Sequence, residues 1–243
     1  LTAQMSGEDR IDVVEAVLEP ILEKKVKVSK VSEDGQSCLV EDLDSEMEDC
    51  SAFFLYKEDI EMKHKFFAEV QTLETQWQVF ADEEERKVYT KFEDGETKIS
   101  VFCRCKINTH AYFPLFLLSQ INHLKEWIPS VVRSDELKRV SDMRRVLRME
   151  REFPWPLYNR EMIIGASCNF MQEKGAVLMM LRSVKEDRAG LWGVELPAED
   201  ESQRVRADLV RMYQFLEVGD LNSCWLSTYM CVDPKIAFLP DFI

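Results

Sequence analysis

The stretch Phe153-Pro154-Trp155-Pro156-Leu157-Tyr158-Asn159-Arg160-Glu161 constrains the fold of this chain more than any other. Proline fixes φ and has no backbone N–H, so two prolines two residues apart break any β-ladder that runs through them. On one side, Met143 to Glu152 alternates in polarity; on the other, Met162 to Met171 is largely apolar. The pattern predicts two long strands joined by a rigid corner where the chain changes direction.

Ile11, Val13, Val14, Val17, Leu18, Ile21 and Leu22 recur at helical spacing behind a capping Asp9, in a helix that ends or kinks near Pro20. Lys24 to Val40 alternates weakly around Glu33-Asp34-Gly35-Gln36, as a hairpin would, and Glu41 to Asp49 holds six carboxylates with no cation, a solvated linker. Residues 1–51 therefore read as an N-terminal extension and 52–243 as the main domain. In the latter, Ile60, Phe66, Phe67, Val70 and Leu73 predict a helix over Ala52 to Glu74, packed by one face. Strands follow at Trp77 to Ala81, Lys87 to Phe92 and Lys98 to Ile107. The third sets Ile99, Val101, Cys103, Cys105 and Ile107 against Lys98, Ser100, Arg104 and Lys106, which predicts a sheet with one wet side.

Pro114 opens a helix with Leu115, Leu118, Ile121, Leu124 and Ile128 on one flank, and Ser134 to Leu137 reads as a further short helical turn. Beyond the corner strands come Ala176 to Val184, Val205 to Val218 and Asn222 to Val232, with an exposed loop over 185–204. Helices and antiparallel strands are segregated, not alternating, so the fold class is α+β.

Composition narrows the partners. An apolar content of 46% supports a real core, and a formal charge of −14 argues against nucleic acid, whose affinity comes largely from Lys and Arg on phosphates. The same charge argues against overall attraction to an anionic membrane, while leaving room for a local basic patch. No apolar run reaches the ~20 residues of a membrane helix, and Leu1 to Arg10 has no secretory pattern. Seven cysteines without C-x-x-C spacing suit a reduced compartment, so the expected location is cytoplasmic.

Candidate chemistry is sparse. The histidines at 64, 110 and 123 lack partners at metal-ligand spacing, so no metal is expected. Cys103-x-Cys105 puts two thiols on one side of a strand, either as apolar filler or as a redox pair. Glu150 and Glu152 share a strand face, but Arg144, Arg148 and Arg151 beside them make a solvated charge ladder the simpler reading. G-x-S-x-G, P-loop and G-x-G-x-x-G motifs do not occur. The expectation is a non-catalytic protein with no cofactor.

What remains is apolar strand surface with a few cations. On one corner strand, Arg145, Leu147, Met149 and Arg151 share a face with Met143 and Phe153; on the other, Met162, Ile164, Ala166 and Cys168 share one with Phe170. Met179, Leu181, Trp225 and Tyr229 are candidates to extend these faces. Eleven methionines, flexible and polarizable, suit either an apolar cavity or ordinary core packing. A charge on such a face is costly unless paired; the partner of Arg145 or Arg151 would be an anionic phosphate, an internal Glu or solvent at the strand ends.

The corner resembles the "PWPL-x-N-R-D" signature of START domains, the StAR-related lipid-transfer family, with Glu161 for the usual Asp. Trp77-Gln78-Val79 resembles that family's opening Trp strand, and Trp127-Ile128-Pro129 its W-x-P after the second helix. Val205-Arg206-Ala207-Asp208 is similar to its late (I/V)-R-A-E strand, and Asp233-Pro234-Lys235 with Leu239-Pro240 to its D-P-K…L-P. These occur in the family's order from about Leu73 onward. The resemblance implies a helix-grip fold, in which a curved antiparallel sheet wraps a long C-terminal helix over a lipid tunnel. This chain stops at Asp241-Phe242-Ile243, where that helix would begin, and the expectation is that the native protein carries it. In the sterol-binding branch a carboxylate and an arginine face each other inside; ungapped counting from Arg160 puts Leu147 and Ala166 there. In the phosphatidylcholine branch a cation precedes the helix-2 Trp by three residues, where this chain has Leu124. Neither polar signature carries over.

The reading is an intracellular, non-catalytic lipid-binding and lipid-transfer protein with transient membrane contact. It would hold one phospholipid or other acyl lipid, in preference to a sterol, behind a gate of the last helix and a loop near Gln172 to Lys174. Its alternative is a lipid-sensing scaffold that recruits a protein partner through the acidic N-terminal extension.

Overall fold

The computed structural model describes residues 29–31, 37–39, 51–93, 98–199 and 204–236. The helix expected over Ile11 to Leu22, the acidic stretch Glu41 to Asp49 and Leu239-Pro240 lie outside them. Strands β1 (Ser29–Val31) and β2 (Ser37–Leu39) pair antiparallel, with Lys30 opposite Cys38.

Helix α1 (Ser51–Gln76) leads into a ten-stranded sheet. Its first strands are β3 (Gln78–Glu83), β4 (Arg86–Glu93) and β5 (Lys98–Ile107). After helices α2 (Tyr112–Ser119) and α3 (Leu124–Trp127) come β6 (Val131–Arg139), β7 (Arg144–Arg151), β8 (Asn159–Met171) and β9 (Ala176–Ser183). The short helix α4 (Glu186–Ala189) precedes β10 (Arg204–Arg206), β11 (Asp208–Val218) and β12 (Cys224–Asp233). The spatial order is β3-β4-β5-β12-β11-β9-β8-β7-β6, antiparallel throughout, and β10 adds in parallel to β8.

The double-proline segment does what its covalent chemistry dictates. β7 ends at Arg151, β8 starts at Asn159, and the two strands run back antiparallel with Arg151 opposite Arg160. Two backbone bonds fix the turn, from Glu152 N to Ser130 O at 2.7 Å and from Leu157 N to Pro154 O at 3.0 Å. Buried Glu161 anchors it from below, accepting from Arg206 at 2.8 Å and pairing with Arg148, while Glu150 accepts from Asn159 Nδ2 at 2.8 Å. Trp155 is 92% exposed, so these backbone and ion-pair contacts, and not its ring, hold the corner.

Because side chains alternate across a strand, the sheet has two distinct faces. One is covered by α1, whose Ile60, Phe66 and Leu73 pack with Tyr89, Phe102, Leu178, Met180, Tyr213 and Tyr229. The Phe66 ring lies 5.1 Å from that of Tyr213, and the Tyr213 and Tyr229 rings are 5.5 Å apart. Burying one such ring contributes roughly 1.5–3 kcal/mol. Polar ties then fix the helix register: Asp59 accepts from Arg144 at 2.8 Å and from Ser167 at 3.0 Å, and Glu69 pairs with Arg211 at 3.3 Å.

Several expectations are corrected by this packing. The face of β5 read as wet is partly dry, with Ser100 and Phe102 buried, because α1 lies across it. Ser134 to Leu137 is strand, since pairing with β7 supplies its backbone hydrogen bonds and outweighs local helix preference. The region 185–204 is not simply an exposed loop: a 3-10 turn at Gly190–Trp192 buries Trp192 against Gly165. A Cβ on Gly165 would sit 2.5 Å from Trp192 Cζ2, so the close approach requires glycine. Val205 to Val218 is divided between β10 and β11, and the helix opened by Pro114 breaks into α2, a 3-10 turn at Ile121–His123, and α3.

Candidate functional site

The face of the sheet opposite α1 encloses a cavity of about 730 Å³, roofed by α2, the 3-10 turn and α3. Strand parity decides which side chains reach it. Arg145, Leu147, Met149 and Arg151 line it from β7, and Met162, Ile164, Ala166 and Cys168 from β8. Met179 and Leu181 reach it from β9. The roof contributes Leu115, Leu118, Ile121, Leu124 and Ile128, the same flank that helical spacing picks out.

Trp225 and Tyr229 do not line the cavity. On β12 the residues that do are Met230 and Val232, so Trp225 and Tyr229 take the opposite parity. Tyr229 is buried against Trp77 and Tyr213 beneath α1, and the Trp225 ring lies 5.0 Å from the Arg104 guanidinium. A β-bulge in β11 between Leu209 and Arg211 shifts the alternation, so that Leu209 and then Met212, Gln214 and Leu216 all face the cavity.

Leu147, Ala166 and Leu124, the positions where the polar signatures of START branches would fall, all present apolar side chains to the cavity. Its charged lining is sparse and unevenly satisfied. Arg145 Nη1 donates to Glu136 Oε2 and to Ser119 O, each at 3.3 Å. Arg160 Nε donates to Pro234 O at 2.6 Å and its Nη1 to Tyr158 O, with the guanidinium 4.8 Å from the Phe153 ring centroid. Arg151 differs, because among the described residues its buried Nε has no hydrogen-bond partner and no carboxylate pairs with it. Burial pushes the Arg151 and Arg160 guanidinium groups below the ordinary arginine range. Asp142, the one carboxylate among the described lining residues, is exposed and nine residues from Arg151 along the chain.

Among the described residues no group of three or more His, Cys, Asp or Glu could hold a metal ion. His123 pairs with exposed Glu126 at 2.7 Å outside the cavity, and His110 Nδ1 accepts from the Tyr112 backbone at 3.2 Å. No described helix is long and apolar enough to cross a membrane.

No protein-family model matches the sequence. Nor does any curated protein match it. Solved structures do. Human STARD10 superimposes with a TM-score of 0.57 at 22% identity, over 71% of this chain and 68% of that one. Human StAR-related lipid transfer protein 5 gives a TM-score of 0.58 at 12% identity, over 82% and 87%. A STAR-related lipid transfer protein from Xanthomonas axonopodis gives 0.51 at 20% identity, over 64% and 80%. Identities this low show a shared fold, and that fold is the helix-grip α+β fold of START domains.

Proposed function

We propose, from the START-type fold and the apolar cavity within it, that this chain binds one acyl lipid and exchanges it between membranes without bond chemistry. The observation that carries the reading is the cavity of about 730 Å³ whose lining is mostly aliphatic, aromatic or methionine, with a few polar and charged side chains among them. Ligand sites commonly span roughly 300–1,000 Å³, and a dry hollow lined this way is stabilised by hydrocarbon. Each CH₂ moved from water into it contributes about 0.8 kcal/mol. The residues proposed to line the bound chain are Leu147, Met149, Met162, Ile164, Ala166, Cys168, Met179 and Leu181.

Exchange requires contact with a bilayer, and α2 supplies a surface for it. Tyr112, Phe113, Phe116 and Leu117 are each about half exposed, and Tyr112 and Phe116 also border the cavity. Residues 111–122 contain no Asp, Glu, Lys or Arg, so this patch can enter the acyl boundary of a membrane without burying charge. The proposed location is the cytoplasm, with transient attachment to membranes.

The test is transfer of a fluorescent acyl lipid from donor to acceptor vesicles of phosphatidylcholine. The chain is expected to accelerate transfer in proportion to its concentration, and Phe113→Ser with Leu117→Ser to slow the rate while leaving equilibrium occupancy intact. Transfer no faster than in buffer, with no lipid retained by the protein, would overturn the reading.

A further inference from the structure

Resting on the reading of the cavity as a lipid site, the geometry points to Arg151 and Arg160 as a binding site for a phosphate group carried by the lipid. The two residues are directly opposed across β7 and β8, both line the cavity, and among the described residues neither has a carboxylate partner. Directly opposed residues in an antiparallel pair have Cβ atoms only about 4.5–5.5 Å apart, so two like charges there repel unless an anion sits between or over them. Arg160 spends its Nε and Nη1 on the carbonyls of Pro234 and Tyr158, which neutralise no charge. Among the described residues, the buried Arg151 Nε has no acceptor.

Arg145 behaves differently. That side chain lies on the same strand face but is neutralised by Glu136 and tied to Ser119, so its charge is already answered within the chain. A guanidinium left in apolar surroundings costs free energy, and a phosphate supplies both the opposite charge and several acceptor oxygens in a geometry that a planar fork matches.

Position favours a lipid phosphate as the source. The pair lies at the corner end of the cavity, beside Phe153 and Pro234. From Arg160 to Phe170, β8 runs about 33 Å at roughly 3.3 Å per residue, presenting Met162, Ile164, Ala166, Cys168 and Phe170 to the hollow. A charged anchor at one end and hydrocarbon lining along the rest fits a phosphate headgroup with its acyl chains laid along β8. A free inorganic anion would use the first feature and leave the second empty.

The experiment compares uptake of phosphatidic acid and of diacylglycerol with the same chains, each presented in phosphatidylcholine vesicles, by the full chain and by Arg151→Met and Arg151→Lys. Wild type is expected to prefer phosphatidic acid, and Arg151→Met to lose that preference by on the order of ten- to a hundredfold, with uptake of diacylglycerol unchanged. Arg151→Lys keeps the charge without the fork and is expected to fall between them. Equal uptake of the two lipids by wild type, with Arg151→Met no different, overturns this inference while leaving the lipid site standing. Uptake of neither lipid fails the lipid reading instead. Inorganic phosphate provides the last arm: binding to wild type but not to Arg151→Met, with no preference for phosphatidic acid, overturns the lipid source and assigns the site to a soluble anion.

Discussion

Asp59 of α1 accepts a hydrogen bond from Arg144 of β7 at 2.8 Å, and both side chains are buried. Ser167 Oγ donates to the other Asp59 oxygen at 3.0 Å, and the Arg144 guanidinium lies 3.9 Å from the Tyr56 ring centroid. The pair fixes how α1 sits on the back of the strands whose front lines the cavity. Removing one member of a buried pair leaves the other charge unanswered. Asp59→Ala is therefore expected to cost about 3–5 kcal/mol, measured by urea denaturation with an unchanged slope. A loss below about 1 kcal/mol would show that solvent reaches Arg144 and that the helix is held by its aromatic face alone.

Glu161 makes a prediction about acid. Burial works against its charge, but hydrogen bonds from Arg206 and Arg148 outweigh that cost and hold its carboxyl below the ordinary value of 4.5. A carboxylate whose pKa is depressed on folding contributes stability above its unfolded pKa and loses it as pH falls through the folded one. Stability should thus decline as pH drops from about 4.5, and Glu161→Gln should flatten that limb while lowering stability at neutral pH. An acid limb identical in wild type and Glu161→Gln would contradict the assignment.

Cys103 and Cys105 share one side of β5 and are both partly exposed. The hydrogen bond with Cys105 holds the Cys103 thiol down at about 7 against the cost of burial, aided by the charge of Arg86. The pH dependence of iodoacetamide alkylation, followed by peptide mass spectrometry, should therefore show Cys103 reacting with a midpoint near about 7. In Cys105→Ala that midpoint should move up toward the ordinary thiol range. Equal reactivity of the two thiols at neutral pH would contradict it.

Filling the hollow should separate fold from function. Ala166 lines the cavity beside Leu181 and opposite Arg145, and a phenyl ring there would occupy space otherwise open to an acyl chain. Ala166→Phe is expected to reduce retained lipid several-fold with a Tm equal to or above that of wild type, because it fills a void without straining a packed core. Undiminished lipid binding in that variant would place the ligand elsewhere.

The corner was legible because proline chemistry is local: Pro154 and Pro156 break the ladder whatever surrounds them. The lining face of β7 was legible from the alternation of polarity along that strand, whereas β8 is apolar or small on both sides from Met162 to Cys168, and there only period-two counting from the corner picks out the lining residues, with Ser167 reaching the cavity besides. β12 defeated the same reasoning. Both of its faces are covered, by α1 and by the cavity, so Trp225 and Tyr229 carry no alternation to set them apart from Met230 and Val232. The bulge at Leu209 and Arg211 has no local sequence mark, yet it decides that Met212 faces the hollow and Tyr213 faces α1. Arg160 sits at the start of β8 beside the corner, and its position against the cavity depends on register with Arg151 that only the paired strands reveal.

The sheet and the α2–α3 roof are proposed to hold a single lipid between them. Native mass spectrometry of the chain after incubation with mixed phospholipid vesicles and re-isolation tests it most directly. A species heavier than the bare polypeptide by the mass of one lipid is expected, released on denaturation and depleted in Ala166→Phe. A spectrum holding the bare polypeptide alone, from a folded preparation offered every vesicle composition, would contradict it.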